Sequence, residues 1–238
     1  MRRYDYNVSS HLVVTAGFSL ESRWDQDYEV NGGNGFTLLA QCSTMHRQIR
    51  RSFQSGIQEG PMTTYIAFLR GINVGGKNRL SMLELVGIFQ ALGYENVQTY
   101  IQSGNVVFSS NEKIGAKETA KIRAGILEKI GFEPSVMILS QKQLQDAVFH
   151  NPFPSNEGKA LHFFFLESHP TQSNLKRLSA LKNASEEYAI DDKVFYLYAP
   201  AGIGRSKLAS SVERTLGVAL TARNWNTVSK LASMAKKV

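Results

Sequence analysis

The chain has 238 residues, of which 42% are hydrophobic and 20% are charged, and this balance is typical of ordinary soluble globular proteins. No apolar run approaches the length of a membrane span, about 20 residues, and the charged N-terminus lacks the apolar core of a signal peptide. The single cysteine, Cys42, excludes a disulfide framework and a thiolate metal cluster. These features predict a cytoplasmic protein of one or two domains without a membrane partner.

The formal net charge is +7 and is unevenly distributed. Basic and acidic residues balance within residues 1–61, so the whole positive excess lies in residues 62–238. Such an excess favours anionic partners, namely phosphates, nucleic acid or acidic surfaces. A basic solvated face that only keeps the protein soluble is the alternative interpretation.

Residues 1–61 differ from the rest of the chain in their pattern. They show no sustained apolar period, as in RQIRRSFQSGIQEG, and such a segment cannot build a core. A clear strand pattern begins at Met62, which we expect to be the true start in a bacterial gene. The preceding Gln58-Glu59-Gly60 can be encoded by CAG-GAG-GGN, which contains the ribosome-binding sequence AGGAGG. A genuine but poorly ordered extension over residues 1–61 is the alternative.

The first predicted unit, residues 62–140, alternates strands and helices. TYIAFLR predicts a strand, and Ser81 with Glu84 forms a capping box that opens a helix. VQTYIQ and NVVFSS predict two strands around a hairpin turn at Ser103-Gly104. A second helix and the strand SVMILS complete a βαββαβ order, which is that of a ferredoxin-like unit.

The second predicted unit, residues 159–238, repeats this order after a short helix and linker over residues 141–158, capped by Ser140 and Gln143. LHFFFLE, EEYAI, KVFYLYA and VALTA predict strands, LKRLSALK and SKLASSVERTLG predict helices, and a last helix begins near Asn226. The predicted fold class is therefore α/β (α+β): two tandem ferredoxin-like units with antiparallel sheets, plus a C-terminal helix.

Five motifs occur in the chain in the order RGINVGGKNRLSM, TYIQSGNVVF, NPFP, GIGRSKL and TARNWNTVSKL. Together they resemble the bacterial domain-of-unknown-function family 1697, over about residues 62–234. The resemblance implies a pair of ferredoxin-like units and implies no activity, so function must be argued from the site.

Two polar rims follow from the predicted topology, because a 4-1-3-2 sheet places certain loops at one end. In the first unit the loop after strand 1 meets the hairpin between strands 2 and 3. In the second unit the loop after strand 3, which opens a helix, meets the end of strand 4. A helix N-terminus with exposed amides and cations is a site for an anion. The sequence leaves open whether the two rims form one site. The predicted anion-binding residues are Arg70, Asn73, Gly75, Gly76, Lys77, Ser103 and Asn105 in the first rim, and Gly204, Arg205, Ser206, Lys207, Arg223, Asn224, Trp225 and Asn226 in the second rim.

Structural roles are the alternative for several of these residues. Gly75-Gly76 would serve equally as a turn. Asn224 and Asn226 would serve as helix caps, and Trp225 as core filling between the units.

Several classes of enzyme lack their motifs in residues 62–238. The segment has no cysteine, no GxSxG elbow and no P-loop, and Ser103 has no obvious base. His150, His162 and His169 do not show metal-ligand spacing, and His162 fits a core position. We therefore predict no metal and no cofactor, no catalytic residue can be named, and the sequence leaves open whether the chain is an enzyme.

The predicted function is the binding of a small phosphorylated or carboxylated molecule at the rims. Binding of RNA or single-stranded DNA is the alternative, because Phe195, Tyr196 and Tyr198 could stack bases if their sheet had an open face. A protein-interaction module without a ligand is the second alternative. The oligomeric state does not follow from the sequence.

Overall fold

The computed structural model describes residues 61–170 and 172–238, with the backbone alone for residues 172–174. Contacts divide the chain into two parts, Met1–Gln58 and Glu59–Val238, and all described residues lie in the second part. The predicted extension over residues 1–61 therefore lies outside the described residues, apart from Pro61.

Strands and helices alternate along the described residues. The first unit comprises β1 (Thr63–Arg70), α1 (Met82–Ala91), β2 (Glu95–Tyr100), β3 (Asn105–Ser110), α2 (Ala116–Ile130) and β4 (Ser135–Ser140), and α3 (Gln141–Phe149) follows it. The second unit comprises β5 (Leu161–Leu166), α4 (Gln172–Ser179), β6 (Glu187–Asp191), β7 (Val194–Tyr198), α5 (Lys207–Leu216), β8 (Leu220–Asn224) and α6 (Trp225–Ala235).

Each unit contains one four-stranded antiparallel sheet. The strand orders are β2-β3-β1-β4 and β6-β7-β5-β8, so the two sheets have the same topology. This arrangement confirms the prediction of two tandem ferredoxin-like units with a C-terminal helix.

Local sequence signals start the helices where we predicted them. The N–H of Glu84 donates to Ser81 Oγ over 3.1 Å, and the Glu84 carboxylate accepts from the Ser81 N–H over 3.2 Å. Ser140 and Gln143 form the same capping box at α3. Strand β2, in contrast, ends at Tyr100 and not at Gln102 as predicted. Ile101 has a φ of 49° and so leaves the extended region before the turn.

The apolar residues of the two units pack in three layers between the helices and the sheets. Helices α1 and α2 cover one face of the first sheet, and α4 and α5 cover one face of the second sheet. The remaining faces of both sheets share an inner apolar layer with α3 and α6. In this layer Phe68 of β1 stacks on Phe165 of β5, with ring centroids 5.0 Å apart. The two units therefore share one core, which fixes the loops of one unit against the other.

Within residues 61–170 and 172–238, no helix combines the length and the apolar character that a membrane crossing needs.

Candidate functional site

The loop after β1 and the β2–β3 hairpin meet in the first rim. Asn73, with a φ of 53°, joins them through its side-chain amide. Its Nδ2 donates to Leu80 O over 2.8 Å and to Gln102 O over 3.0 Å, while its Oδ1 accepts from the Leu80 N–H over 2.9 Å. Both N–H donors of the Asn73 side chain and its oxygen therefore bind backbone groups that hold the two loops of the rim together.

Gly75 and Gly76 form the centre of a tight turn. The N–H of Lys77 donates to Val74 O over 3.0 Å, and the two glycines have φ values of 58° and 75°. A turn with two positive φ values strongly favours glycine at both central positions. This geometry supports the turn interpretation of the pair, and Lys77 lies exposed beside it.

A depression of about 390 Å³ lies in front of the first rim, between Gly76, Arg79 and the start of α1 at Ser81. The carboxylate of Glu84 lies in the first turn of that helix. Hydrogen bonds from the Ser81 side chain and backbone lower the pKa of Glu84, so this carboxylate is charged at neutral pH. Its negative charge opposes an anion at this helix end.

The β2–β3 hairpin holds one polar side chain, that of Asn105, in the interior. Asn105 is fully buried, and its Nδ2 donates to Ser103 Oγ over 2.9 Å and to Tyr100 O over 3.0 Å. Gly104 has a φ of 75°, and a Cβ at this position would lie 2.7 Å from the Cβ of Leu69. The hairpin is therefore packed directly on the end of β1.

Arg223, in β8, crosses from the second unit to the first. Its guanidinium has five N–H donors, and five hydrogen bonds use them. Two of the acceptors lie in the hairpin and one at the end of β1. The acceptors are Asn105 Oδ1 (2.5 Å), Ser103 O (3.3 Å), Leu69 O (2.9 Å), Thr221 Oγ1 (2.9 Å) and Ala222 O (2.9 Å).

The charge of Arg223 is balanced by dipoles and by an aromatic ring. Burial lowers the pKa of Arg223 to about 10, so the group remains protonated at neutral pH. The guanidinium carbon lies 5.1 Å from the centroid of the Phe68 ring, which offers the negative face of its π system. Arg223 thus joins the two units, and its donors are already engaged.

Arg70 forms a second bridge between the units. Its guanidinium binds the carboxylate of Glu213, in the last part of α5, through two contacts of 2.6 and 2.7 Å, and it also donates to Leu220 O over 3.1 Å. The hydrogen bond from Arg70 lowers the pKa of Glu213, and the same bond raises the pKa of Arg70.

The loop before α5 keeps two cations exposed in the second rim. Ser206 caps the helix, because its Oγ accepts from the Ala209 N–H over 2.9 Å. Arg205 and Lys207 are exposed and make no ion pair or side-chain hydrogen bond within the part of the chain that the structure describes. Gly204, Arg205, Ser206 and Lys207 line a cavity of about 360 Å³ in front of the helix.

The remaining residues of the second rim have local roles. Asn224 caps α6, since its Oδ1 accepts from the Thr227 N–H over 3.0 Å. Trp225 stacks on Phe163 in the inner layer, with centroids 5.8 Å apart. Asn226 is exposed, and with Gly202 it lines a depression next to the loop before α5.

The cavities of the two rims share no lining residue. Arg70 reaches α5 at Glu213, six residues after Lys207, and this separation corresponds to about 9 Å along a helix axis. Arg223, on the inner side of β8, contacts the first rim and lines neither cavity. The predicted residues thus fall into two separate places, and their role in binding stays a prediction.

A groove away from both rims was not predicted. This groove of about 660 Å³ lies between α2, β4 and the second unit, and of the predicted residues only Arg70 lines it. A sequence signal existed in SVMILS, an uncharged strand that the 4-1-3-2 order places at the edge of its sheet. Among the described residues, no group of three or more His, Cys, Asp or Glu side chains could hold a metal ion.

Comparisons with known proteins agree with this fold. Residues 62–196 match the family described as "Protein of unknown function (DUF1697)". The chain is also similar to a solved structure, that of the conserved bacterial protein SP0830 from Streptococcus pneumoniae. The TM-score is 0.58 at 25% sequence identity, and the match covers 73% of this chain and 99% of that chain. No curated protein matches the chain.

Proposed function

Because the chain belongs to DUF1697, a family of unknown function, we propose a function from its own site: it binds a small phosphorylated or carboxylated molecule at the loop that opens α5. The observation that supports this proposal is the pair of exposed cations, Arg205 and Lys207, which have no ion-pair partner among the described residues and lie beside a helix N-terminus and a cavity of about 360 Å³.

The electrostatics of α5 distinguish it from the first two helices. The N-termini of α1 and α2 carry Glu84 and Glu118, whose charges already complement the helix dipole. The first turn of α5 has no acidic residue. Its first amides, at Lys207 and Leu208, have no acceptor within the helix and are available to an anion.

The shape of the loop allows close approach of a ligand. Gly202 has a φ of 90°, which turns the chain away from β7, and Gly204 has no heavy atom within 4 Å of the place where a Cβ would lie. A phosphate or carboxylate at this loop could therefore contact the backbone and both cations together.

A thermal-shift panel on the full chain tests this function. The panel contains inorganic phosphate, pyrophosphate, and phosphorylated and carboxylated metabolites, since a ligand that prefers the native state raises the melting temperature. Isothermal titration then compares the wild type with an Arg205→Ala/Lys207→Ala variant. We expect the affinity to fall at least tenfold, because each charge-assisted contact contributes about 1.5–3 kcal/mol.

The matched control removes one arginine and one lysine elsewhere. Arg177 and Lys230 are exposed, so Arg177→Ala/Lys230→Ala changes the net charge equally and should bind as the wild type does. A panel without any stabilising compound, or equal losses in the two double variants, would contradict the proposal.

The same two double variants distinguish nucleic-acid binding from the binding of a small anionic ligand. Phe195 and Tyr196 are fully buried, and the inner layer covers the sheet face that carries Tyr196. A nucleic acid would therefore depend on exposed cations and not on base stacking upon this face. Oligonucleotide binding that weakens steeply with salt, and equally in both double variants, would favour nucleic acid over a small ligand.

A further inference from the structure

The groove of about 660 Å³ follows the edge of a strand. Its lining includes all residues from Pro134 to Leu139 consecutively, together with residues of α2 on one side and of the second unit on the other. Successive side chains of a strand point to opposite faces, so a cavity on one face would contact alternate residues. Contact with every residue means that the groove runs along the free edge of β4.

The backbone of β4 presents hydrogen-bonding groups to this groove. The N–H of Leu69 donates to Gly104 O, so Leu69 faces β3 and its neighbour Phe68 faces β4. Phe68 pairs with Met137, and the alternation then turns the N–H and C=O groups of Val136 and Ile138 outward. Within residues 61–170 and 172–238, β4 pairs with β1 alone.

Two of the other edge strands carry the usual protection against pairing. Strand β2 has an irregular register between Glu95 and Gln98, with Asn96 at a φ of 52°. Strand β6 is five residues long and has acidic residues, Glu187 and Asp191, at its two ends. Bulges, short length and charge all discourage the addition of another strand.

The fourth edge, that of β8, is closed by two arginines. Arg70 donates to Leu220 O and Arg223 donates to Ala222 O, so carbonyls along this edge are already bonded. Strand β4 has an uninterrupted register over six pairs with β1 and bears no charge or proline. Among the four edges, β4 is the one that is both regular and unprotected.

We propose that the β4 groove binds an extended peptide segment of another protein by strand addition. Val136 and Ile138 would exchange main-chain hydrogen bonds with the peptide, as an added antiparallel strand does. This proposal is independent of anion binding at α5, since the two cavities share no residue.

The residues that line the groove indicate which types of side chain the peptide should carry. Phe68, Leu166 and Leu220 line the side toward the second unit, where apolar side chains would pack. Thr119 and Arg123 line the side toward α2. Arg123 pairs with Glu133 over 2.8 Å, but both side chains are nearly half exposed, and such a pair is readily exchanged for a carboxylate of the peptide. Glu167 and Lys193 also line the groove, on the side of the second unit. The partner segment therefore carries acidic residues on the side that faces Arg123, and these alternate with apolar residues.

A single strand fits this groove better than a second copy of the chain. The β4 edge of a second copy lies in an equivalent groove, between its own α2 and its own second unit. In an edge-to-edge dimer the walls of two such grooves would have to fit together around strands only about 4.8 Å apart, whereas a single peptide strand meets the walls of one groove.

The test uses the full chain and a fluorescein-labelled seven-residue peptide that alternates valine with glutamate. Fluorescence anisotropy should show saturable one-to-one binding. The variant Ile138→Pro removes an outward N–H without breaking a hydrogen bond to β1, and it should weaken binding at least tenfold. Ile138→Ala removes the side chain but keeps the N–H, so it should lose clearly less affinity than Ile138→Pro, and the difference between the two variants measures the contribution of the N–H.

Modified peptides keep the test decisive if Ile138→Pro does not fold. N-methylation of one alternating set of peptide amides should abolish binding, while methylation of the other set should have a much smaller effect. No saturable binding, or equal effects of the two methylated peptides, would overturn the proposal. So would a chain dimer, seen by sedimentation equilibrium, that Ile138→Pro dissociates.

Discussion

Arg223 Nε lies 2.5 Å from Asn105 Oδ1, across the boundary between the two ferredoxin-like units. The other donors of Arg223 bind groups at the end of β1, in the β2–β3 hairpin and in its own strand. Arg223, which we predicted to face a ligand, therefore uses its donors to join the two units. Its replacement should mainly lower the free energy of unfolding.

Arg223→Ala should lower the free energy of unfolding by about 2–4 kcal/mol, because it leaves the buried Oδ1 of Asn105 and two carbonyls without their donor. Arg223→Lys should recover only part of this loss, since an ammonium cannot reproduce the planar fork. Urea denaturation measures both values. Arg205→Ala, at an exposed position, is the control and should change stability by less than about 0.5 kcal/mol. A change that small for Arg223→Ala would contradict the bridging role.

Gly104→Ala should cost about 3 kcal/mol or more. Alanine at this position would have to adopt a φ of 75°, and its Cβ would lie only 2.7 Å from Leu69 Cβ and 2.9 Å from Ile72 Cδ1. Gly93→Ala separates the two causes, because Gly93 has a φ of 85° but no heavy atom within 4 Å of a Cβ. We expect a cost of about 1–2 kcal/mol there. Equal costs in thermal or urea unfolding would show that the hairpin does not pack tightly on β1.

The Arg70–Glu213 pair should stabilise the fold by a modest, salt-dependent amount. Its side chains are 50% and 39% exposed, and solvent screening limits the coupling to about 0.5–1 kcal/mol. A double-mutant cycle with Arg70→Ala and Glu213→Ala measures the coupling. In 1 M NaCl it should shrink, because screening at that ionic strength reaches within about 3 Å. A coupling that does not change with salt would indicate that the hydrogen bonds dominate over the charges.

The pH dependence of the same pair has a defined sign. The pKa of Glu213 is lowered in the folded protein, so its contribution is present above the unfolded pKa, about 4.3. The contribution is lost as the pH falls through the lower, folded pKa. The wild type should therefore lose more stability than Glu213→Gln between pH 5 and pH 3.

His162 should make the protein less stable as the pH falls below about 6.5. Burial lowers the pKa of His162, so between its folded and unfolded pKa the unfolded chain binds more protons. Unfolding midpoints in urea between pH 7.5 and 5 measure this slope. His162→Leu should flatten it. An equal slope in His162→Leu would show that other groups cause the pH dependence.

Much of the fold could be predicted because its signals are local. The capping boxes of Ser81 with Glu84 and of Ser140 with Gln143 each lie within four residues, and the hairpin turn at Ser103-Gly104 does too. The strand order followed from the repeated βαββαβ pattern, and it also brought the loop after β1 to the hairpin, as Asn73 and Gln102 show.

The roles of the rim residues could not be predicted in the same way. Arg223 meets Leu69 and Ser103 across more than a hundred positions of sequence, and an arginine that binds carbonyls looks the same in sequence as one that binds phosphate. The topology of one unit predicts only the rim of that unit, whereas the inner layer shared by both units decides which donors remain free.

The unprotected edge of β4 also depends on tertiary structure. The sequence SVMILS predicts a strand, but its groove exists only because α2 and the second unit flank it. Likewise, the carbonyls of β8 are closed by Arg70, which belongs to the other unit.

The stacking of Phe68 on Phe165 also bears on how the protein could be divided. A chain cut in the exposed linker at Asn156 would give two fragments, and each fragment would expose the apolar residues that it contributes to the inner layer. Such fragments would be poorly soluble alone and would recover one fold when co-expressed. The linker is thus a suitable place to split the chain for a reporter assay that detects the association of the two fragments.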